Sequence, residues 1–293
     1  MGTASSPRRS SSDQETPGRQ PGSRGRPTRR LAFGLLAPIA SLPLLLYLLA
    51  PIIGLVVRTT PAALNCCWEA INALRLSLFT ATVATAVSIV IGTPAAYWLS
   101  HHDFRGKDAV DTLIDLPLVL PPVAGGLALL LLYGRQGLGA FLAQHEIRLS
   151  FTVTAVIMAQ VFIASPFYVK HARAGFEAVP ATLRLASATL GASRLRTFLR
   201  VTAPLARHAL VAGAVMTWAR ALGEFGATIV FAGAFPGRTE TMPVAIYSSS
   251  SAATPEGLRT SIALAVVLVA VSFLVIALAK RLMRHSLPAS DVP

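Results

Sequence analysis

In the apolar run from Pro204 to Gly233, Arg220 and Glu224 stand four residues apart. On a helix that spacing puts guanidinium and carboxylate on one face, where they can pair. If the run crosses a bilayer, the two lie about 20 and 26 Å along it from Arg207, at 1.5 Å per residue. An ionisable group at membrane depth costs several kcal/mol unless paired or wet, and so marks a functional position. Two roles stay open. Arg220 attracts an anion directly, or the pair locks an outer gate and a helix–helix interface. The gate is preferred, because a bound carboxylate partly neutralises the arginine. Gly223 and Gly226, on either side of Glu224, permit close helix approach.

Other chemistry is excluded by what the sequence lacks. It has no G-x-x-x-x-G-K-[ST] loop, so the chain is not expected to hold ATP itself. No G-x-S-x-G, H-E-x-x-H or C-x-x-C occurs either. Adjacent Cys66 and Cys67 read as small apolar fillers, unable to build a disulfide framework or a zinc site. His101 and His102 stand beside Asp103 without further ligands, so no metal is expected.

These residues need a scaffold, and composition says which. Of 293 residues, 53% are hydrophobic and 13% charged, against about a quarter charged in soluble domains. The mean hydropathy is +0.59. Runs free of Asp, Glu, Lys and Arg cover Leu31–Val57, Leu76–His102, Leu116–Gly134, Leu149–Val169 and Thr260–Ala279. Each can supply the roughly 20 residues that a membrane-crossing helix needs. With the run from Pro204 they predict an all-α membrane protein of six spans, near 31–57, 76–99, 113–133, 149–170, 205–232 and 260–282. The first run is longer than a secretory signal's apolar region, so it reads as a retained span; cleavage after it is the alternative. Residues 1–30, rich in Ser, Pro, Gly and Arg, read as a disordered basic tail, and 286–293 as a short one.

Charge sets the orientation. With both termini cytoplasmic, nineteen of the 26 basic residues lie on inside segments and six on outside ones. The formal net charge of +13 is thereby explained by topology, and nucleic-acid binding is not expected.

The third span carries Pro117, Pro121, Pro122, Gly125 and Gly126 within ten residues. Such a segment breaks or kinks, and its freed backbone groups are tolerated only against protein or a water-filled path. It reads either as a kinked packing helix or as the lining of a solute pathway, with Pro121, Pro122 and Gly125 as candidates.

The cytoplasmic segment 171–204 is far longer than a usual interhelical connection. Pro180 suits a first helical turn, Val179, Leu183, Ala186 and Leu190 follow at helical spacing, and Gly191 is placed to cap. Leu185 falls off that stripe and is predicted to be an exposed apolar knob. A second short helix, Arg194 to Thr202, is expected to end at Ala203-Pro204. The elbow suits docking into a groove of a soluble partner, or else lies on the inner leaflet.

Leu185-Ala186-Ser187, three residues, Gly191, nine residues, then Val201-Thr202-Ala203-Pro204 resembles the EAA loop of ABC importer permeases, E-A-A-x3-G-x9-I-x-L-P. Leu185 stands in place of the Glu, Ser187 of the second Ala, Val201 of the Ile and Ala203 of the Leu. The stretches Ala219-Arg220-Ala221-Leu222-Gly223-Glu224-Phe225-Gly226-Ala227-Thr228, Phe231-Ala232-Gly233 and Pro236 to Tyr247 are similar to permeases of molybdate importers. So are Leu118 to Val123 and Gly134 to Gly139. The resemblance covers residues 31–285. It implies a type I ABC importer permease that docks an ATPase subunit through Pro180, Leu183, Leu185, Ala186, Ser187, Gly191, Val201 and Pro204. It also implies ATP and Mg on that partner, a second copy of the chain, and an extracytoplasmic oxyanion-binding protein. Sulfate/thiosulfate permeases share the Gly-Glu-Phe-Gly core and give the alternative cargo. An ion-coupled secondary transporter, the alternative class, wants acidic or His relays in the spans, where only Glu224 is a candidate.

Overall fold

Apolar runs broken by prolines and flanked by charge become helices, and the computed structural model consists of helices with no strand among the described residues, 28–59, 67–135 and 137–285. The described residues divide into two units, one up to Ile52 and one from Ile53 on. The first helix, α1 (Thr28–Val57), begins inside the stretch expected to be tail. The rest of that tail, Cys66 and residues 286–293 lie outside the described residues.

The second unit is built around α6 (Val153–Glu177), which packs against α2 (Cys67–His101) and α9 (Ala203–Leu222). Small residues let these backbones approach. A Cβ on Gly92 of α2 would lie 2.9 Å from Tyr168, one on Gly175 would lie 2.5 Å from Ala209, and one on Gly213 would lie 2.8 Å from His171. Hydroxyls on α2 bond back along their own helix, Thr82 to Leu78, Thr85 to Ala81 and Ser88 to Ala84, so the burial of Thr85 and Ser88 leaves no orphan donor. Tyr168 and Thr93 share a hydrogen bond of 2.7 Å across the α2–α6 seam.

The expected third span is two helices, α3 (Lys107–Val119) and α4 (Pro122–Tyr133), bent by 111°. The cause is local. Leu120 precedes a proline and adopts ψ 130°, Pro121 does the same, and Pro122 then starts α4 where its missing N–H costs nothing. After α4 come the short α5 (Leu138–Gln144) and then α6.

The elbow differs from expectation at both ends. α6 runs on to Glu177, so residues 171–177 of the expected loop are helical. α7 (Ala181–Thr189) takes Pro180 as its N-cap rather than in its first turn, and it buries none of its residues. Leu183, Ala186 and Leu190, expected to share a face with Val179, are exposed together with Leu185; Val179 alone is buried. The second helix does not stop at Pro204. α8 (Arg194–Thr197) passes through a π turn, Phe198–Thr202, into α9 without leaving the helical region, and Pro204 sits in the first turn of α9.

The expected fifth span is also interrupted. α9 ends at Gly223, and α10 (Gly226–Phe231) begins after a short break. α11 (Met242–Ser251) and α12 (Pro255–His285) complete the unit, packed on each other. Among the described residues three helices are long and apolar enough to cross a membrane, Ala70–His101, Val153–Glu177 and Pro255–Arg281, and the bent α3–α4 pair, taken as one span, makes a fourth. α12 leaves Phe273, Leu274 and Leu278 exposed, the surface that lipid tails cover.

Candidate functional site

The two breaks meet. A Cβ on Gly126 of α4 would lie 2.7 Å from Ala227 Cα, and one on Gly226 of α10 would lie 2.9 Å from Pro122 Cβ. The N-terminal ends of α4 and α10 therefore abut, each bringing backbone N–H groups that its own helix cannot satisfy. Gly125, on the neighbouring face, packs on Phe162 of α6. Pro121 supplies its carbonyl to the N–H groups of Ala124 and Gly125. Pro121, Pro122, Gly125 and Gly226 thus belong to one junction. Gly223 does not: a Cβ there would meet nothing nearer than 3.7 Å, and it caps α9 instead of admitting a neighbour.

Glu224 closes this junction. Its side chain is 1% exposed and its Oε2 lies 2.7 Å from Nη2 of Arg220. Oε1 accepts from the Ala227 N–H at 2.9 Å, satisfying an end donor of α10. The pair was expected on one continuous helix. It instead bridges the break, with Arg220 in the last turn of α9 and Glu224 just before α10. Arg220 keeps 29% of its side chain exposed.

In the elbow, Gly191 has φ +78° and ends α7 in a left-handed turn. Ala192 N–H bonds Ser187 O at 3.1 Å and Gly191 N–H bonds Ala188 O at 3.0 Å, the paired closure that favours glycine there. Ser187 and Thr197 hydroxyls bond at 3.0 Å and tie α7 to α8. Leu185 is 66% exposed, and Leu190 and Leu195 are exposed with it, forming an apolar surface flanked by Arg194 and Arg196. Val201 and Pro204 lie on the π turn and at the start of α9, so elbow and ion pair are the two ends of one helical rod.

Sequence reasoning passed over a charged clamp. Asp111 and Asp115 of α3 pair with Arg173 at 2.5 Å and Lys170 at 2.9 Å on α6, and Arg173 also holds Glu177 at 2.7 Å. Their signal was legible as carboxylates at 108, 111 and 115, one face of a helix. Gln160 and Thr217, fully buried polar residues of α6 and α9, were also passed over. No group of three metal-binding side chains occurs among the described residues.

A helical membrane bundle with two abutting breaks and an exposed elbow defines a transport subunit, and comparison places it. Residues 88–288 match the family model of the binding-protein-dependent transport system inner membrane component, and the chain belongs to that family. It is 40% identical over 263 residues to the probable molybdenum ABC transporter permease protein of Haloferax volcanii, covering 87% of this chain and 93% of that one. It is 38% identical to a molybdate/tungstate transport system permease protein of Pyrococcus furiosus, over 70% of this chain and 75% of the relative. A sulfate transport system permease protein of Synechococcus elongatus is 36% identical over 59% of this chain and 61% of its own. A crystal structure of a bacterial ABC transporter that imports the acidic polysaccharide alginate shares the fold, with a TM-score of 0.67 and 16% identity, over 89% of this chain and 99% of that chain.

Proposed function

We propose that this chain is the permease subunit of an ATP-driven importer of molybdate, with tungstate as a second cargo. The likeness to molybdenum and molybdate/tungstate permeases carries the cargo. The exposed apolar surface of α7 supports docking of a separate ATPase subunit, with Leu183, Leu185 and Ala186 as its contacts and Ser187 and Gly191 holding its shape. ATP and Mg belong to that partner. Two copies of the chain form the pathway, both termini are cytoplasmic, and an extracytoplasmic binding protein delivers the oxyanion.

Movement follows from the rod. Displacement of the elbow passes through Val201 and Pro204 into α9 and reaches the Arg220–Glu224 pair at its far end. The pair and the Pro122/Gly226 junction act as the outer gate. Opening parts α4 from α10, and the partly exposed Arg220 attracts the anion as it enters.

Uptake of labelled molybdate by cells lacking this chain, and by the complemented strain, tests the reading. Uptake restored by the chain and competed by tungstate but not by excess sulfate is expected. Intact molybdate uptake with failed sulfate entry assigns the chain to the sulfate cargo, the reading favoured by its sulfate-permease relative.

A further inference from the structure

At the end of α6 remote from the elbow, the end of α4, α5, the start of α6 and the loop after α10 enclose a cavity of about 390 Å³. α6 runs 25 residues from this cavity to the elbow side, so the two lie about 37 Å apart along its axis. By the charge bias of the loops, the cavity faces the extracytoplasmic side.

Its lining is one-sided in charge. Arg135, Arg148 and Arg238 reach it from three different segments, and no Asp or Glu lines it among the described residues. None of the three joins an ion pair among the described residues. All three are exposed, and like charges gathered around one cavity repel less when an anion sits among them. Ser150 and Thr152 line the same space, and Thr152 is the N-cap of α6, its hydroxyl accepting from the Ala155 N–H, so the positive end of that long helix lies at the cavity.

One wall is α10's own continuation. Phe151 adopts φ 61°, a conformation that bulky side chains rarely take. It is held there by its N–H bond to Phe231 O at 3.2 Å and by its ring against Phe235 at 6.1 Å. Gly233 lies under both rings, where a Cβ would come within 2.7 Å of Phe235. The six-residue α10 thus joins the gate at its first residue to this cavity at its last.

We infer that the cavity is a binding site for a small, doubly charged tetrahedral oxyanion, where cargo first meets the chain before the gate. This rests on the oxyanion reading above. The volume holds roughly a dozen waters at about 30 Å³ each, room for a partly hydrated anion between bidentate guanidinium forks.

The test uses the full transporter with its ATPase, in nanodiscs and without binding protein, dialysed against labelled molybdate. Wild type is expected to bind it. Arg148→Gln and Arg238→Gln are each expected to weaken binding about tenfold or more. Ala140→Phe, which fills the cavity and leaves every charge, is expected to weaken it as well. Arg259→Gln removes an equal charge away from the cavity and is expected to bind as wild type. Equal binding by wild type and both arginine variants overturns the inference. So does anion binding that is unchanged while the same variants weaken docking of the purified binding protein, since the cavity then holds a partner's carboxylate. Whole-cell uptake separates the two readings. Molybdate uptake without cavity-dependent binding overturns the cavity and leaves the cargo standing. Cavity-dependent binding of molybdate or sulfate without molybdate uptake supports the cavity and overturns the cargo.

Discussion

Gly126 and Ala227 touch backbone to backbone: a Cβ on the glycine would lie 2.7 Å from both Cα and O of the alanine. No side chain fits between them, so α4 and α10 meet backbone to backbone at this point. Replacing Gly126 by Leu is expected to force the pair apart at a cost of about 1–3 kcal/mol. The measurement is a lower thermal midpoint of the detergent-purified complex. Gly223→Ala, where the space is open, is expected to leave that midpoint nearly unchanged.

The Arg220–Glu224 pair makes a second prediction. Arg220→Ala leaves a buried carboxylate without its cation, a loss of about 3–5 kcal/mol for a buried pair. Transport is expected to fall while assembly with the ATPase persists, because the elbow is untouched. Glu224→Gln in the same chain is expected to recover stability without recovering transport. Wild-type uptake by Arg220→Ala would make the arginine a packing residue only.

At the elbow, Leu185→Asp places a charge on the exposed apolar face of α7. Co-purification of the ATPase subunit is expected to fall at least tenfold, with the permease still folded, since Leu185 is largely exposed within the chain. Gly191→Ala is expected to cost about 1–2 kcal/mol by forcing a Cβ into the left-handed region. Gly191→Pro removes the N–H that closes α7 on Ala188 and is expected to abolish the association. A normal complex with either Leu185→Asp or Gly191→Pro would remove the docking assignment.

The clamp between α3 and α6 predicts a charge-swap rescue. Asp115→Lys sets two cations together, and Lys170→Asp sets two carboxylates together. Each single variant is expected to lower the thermal midpoint, and the double variant to restore most of it. The effect is expected to be below about 1 kcal/mol and to shrink in high salt, because both partners are partly exposed.

Much of this was legible before any coordinates. The apolar runs gave three of the spanning helices, and Pro121-Pro122 announced the break between α3 and α4, because a residue before proline is driven out of the helical region. The break after Gly223 was harder to read. Glycine is tolerated within spans, and the i, i+4 spacing of Arg220 and Glu224 reads as one helix. What periodicity cannot show is the second role of Glu224, whose Oε1 caps the Ala227 N–H of α10 while Oε2 still pairs with Arg220. The stripe on α7 misled for a related reason. Apolar periodicity says that a face is covered, not by what, and within one chain Leu183 and Leu190 stay exposed. Asp111 and Asp115 were visible at helical spacing, but their partners sit some 60 positions away, beyond any local pattern.

The brevity of α4 and α10 bears on how the protein is made. At 12 and 6 residues they rise about 18 and 9 Å, short of a hydrocarbon core of about 30 Å. Neither can enter the bilayer as a free-standing span, since its open N–H groups would meet lipid. α4 is synthesised about a hundred residues before α10, and must wait at the interface or within the insertion machinery until Gly226 arrives against Pro122. Settling of α4 therefore waits on α10, and a chain cut before residue 226 is left with a third span that lacks its partner.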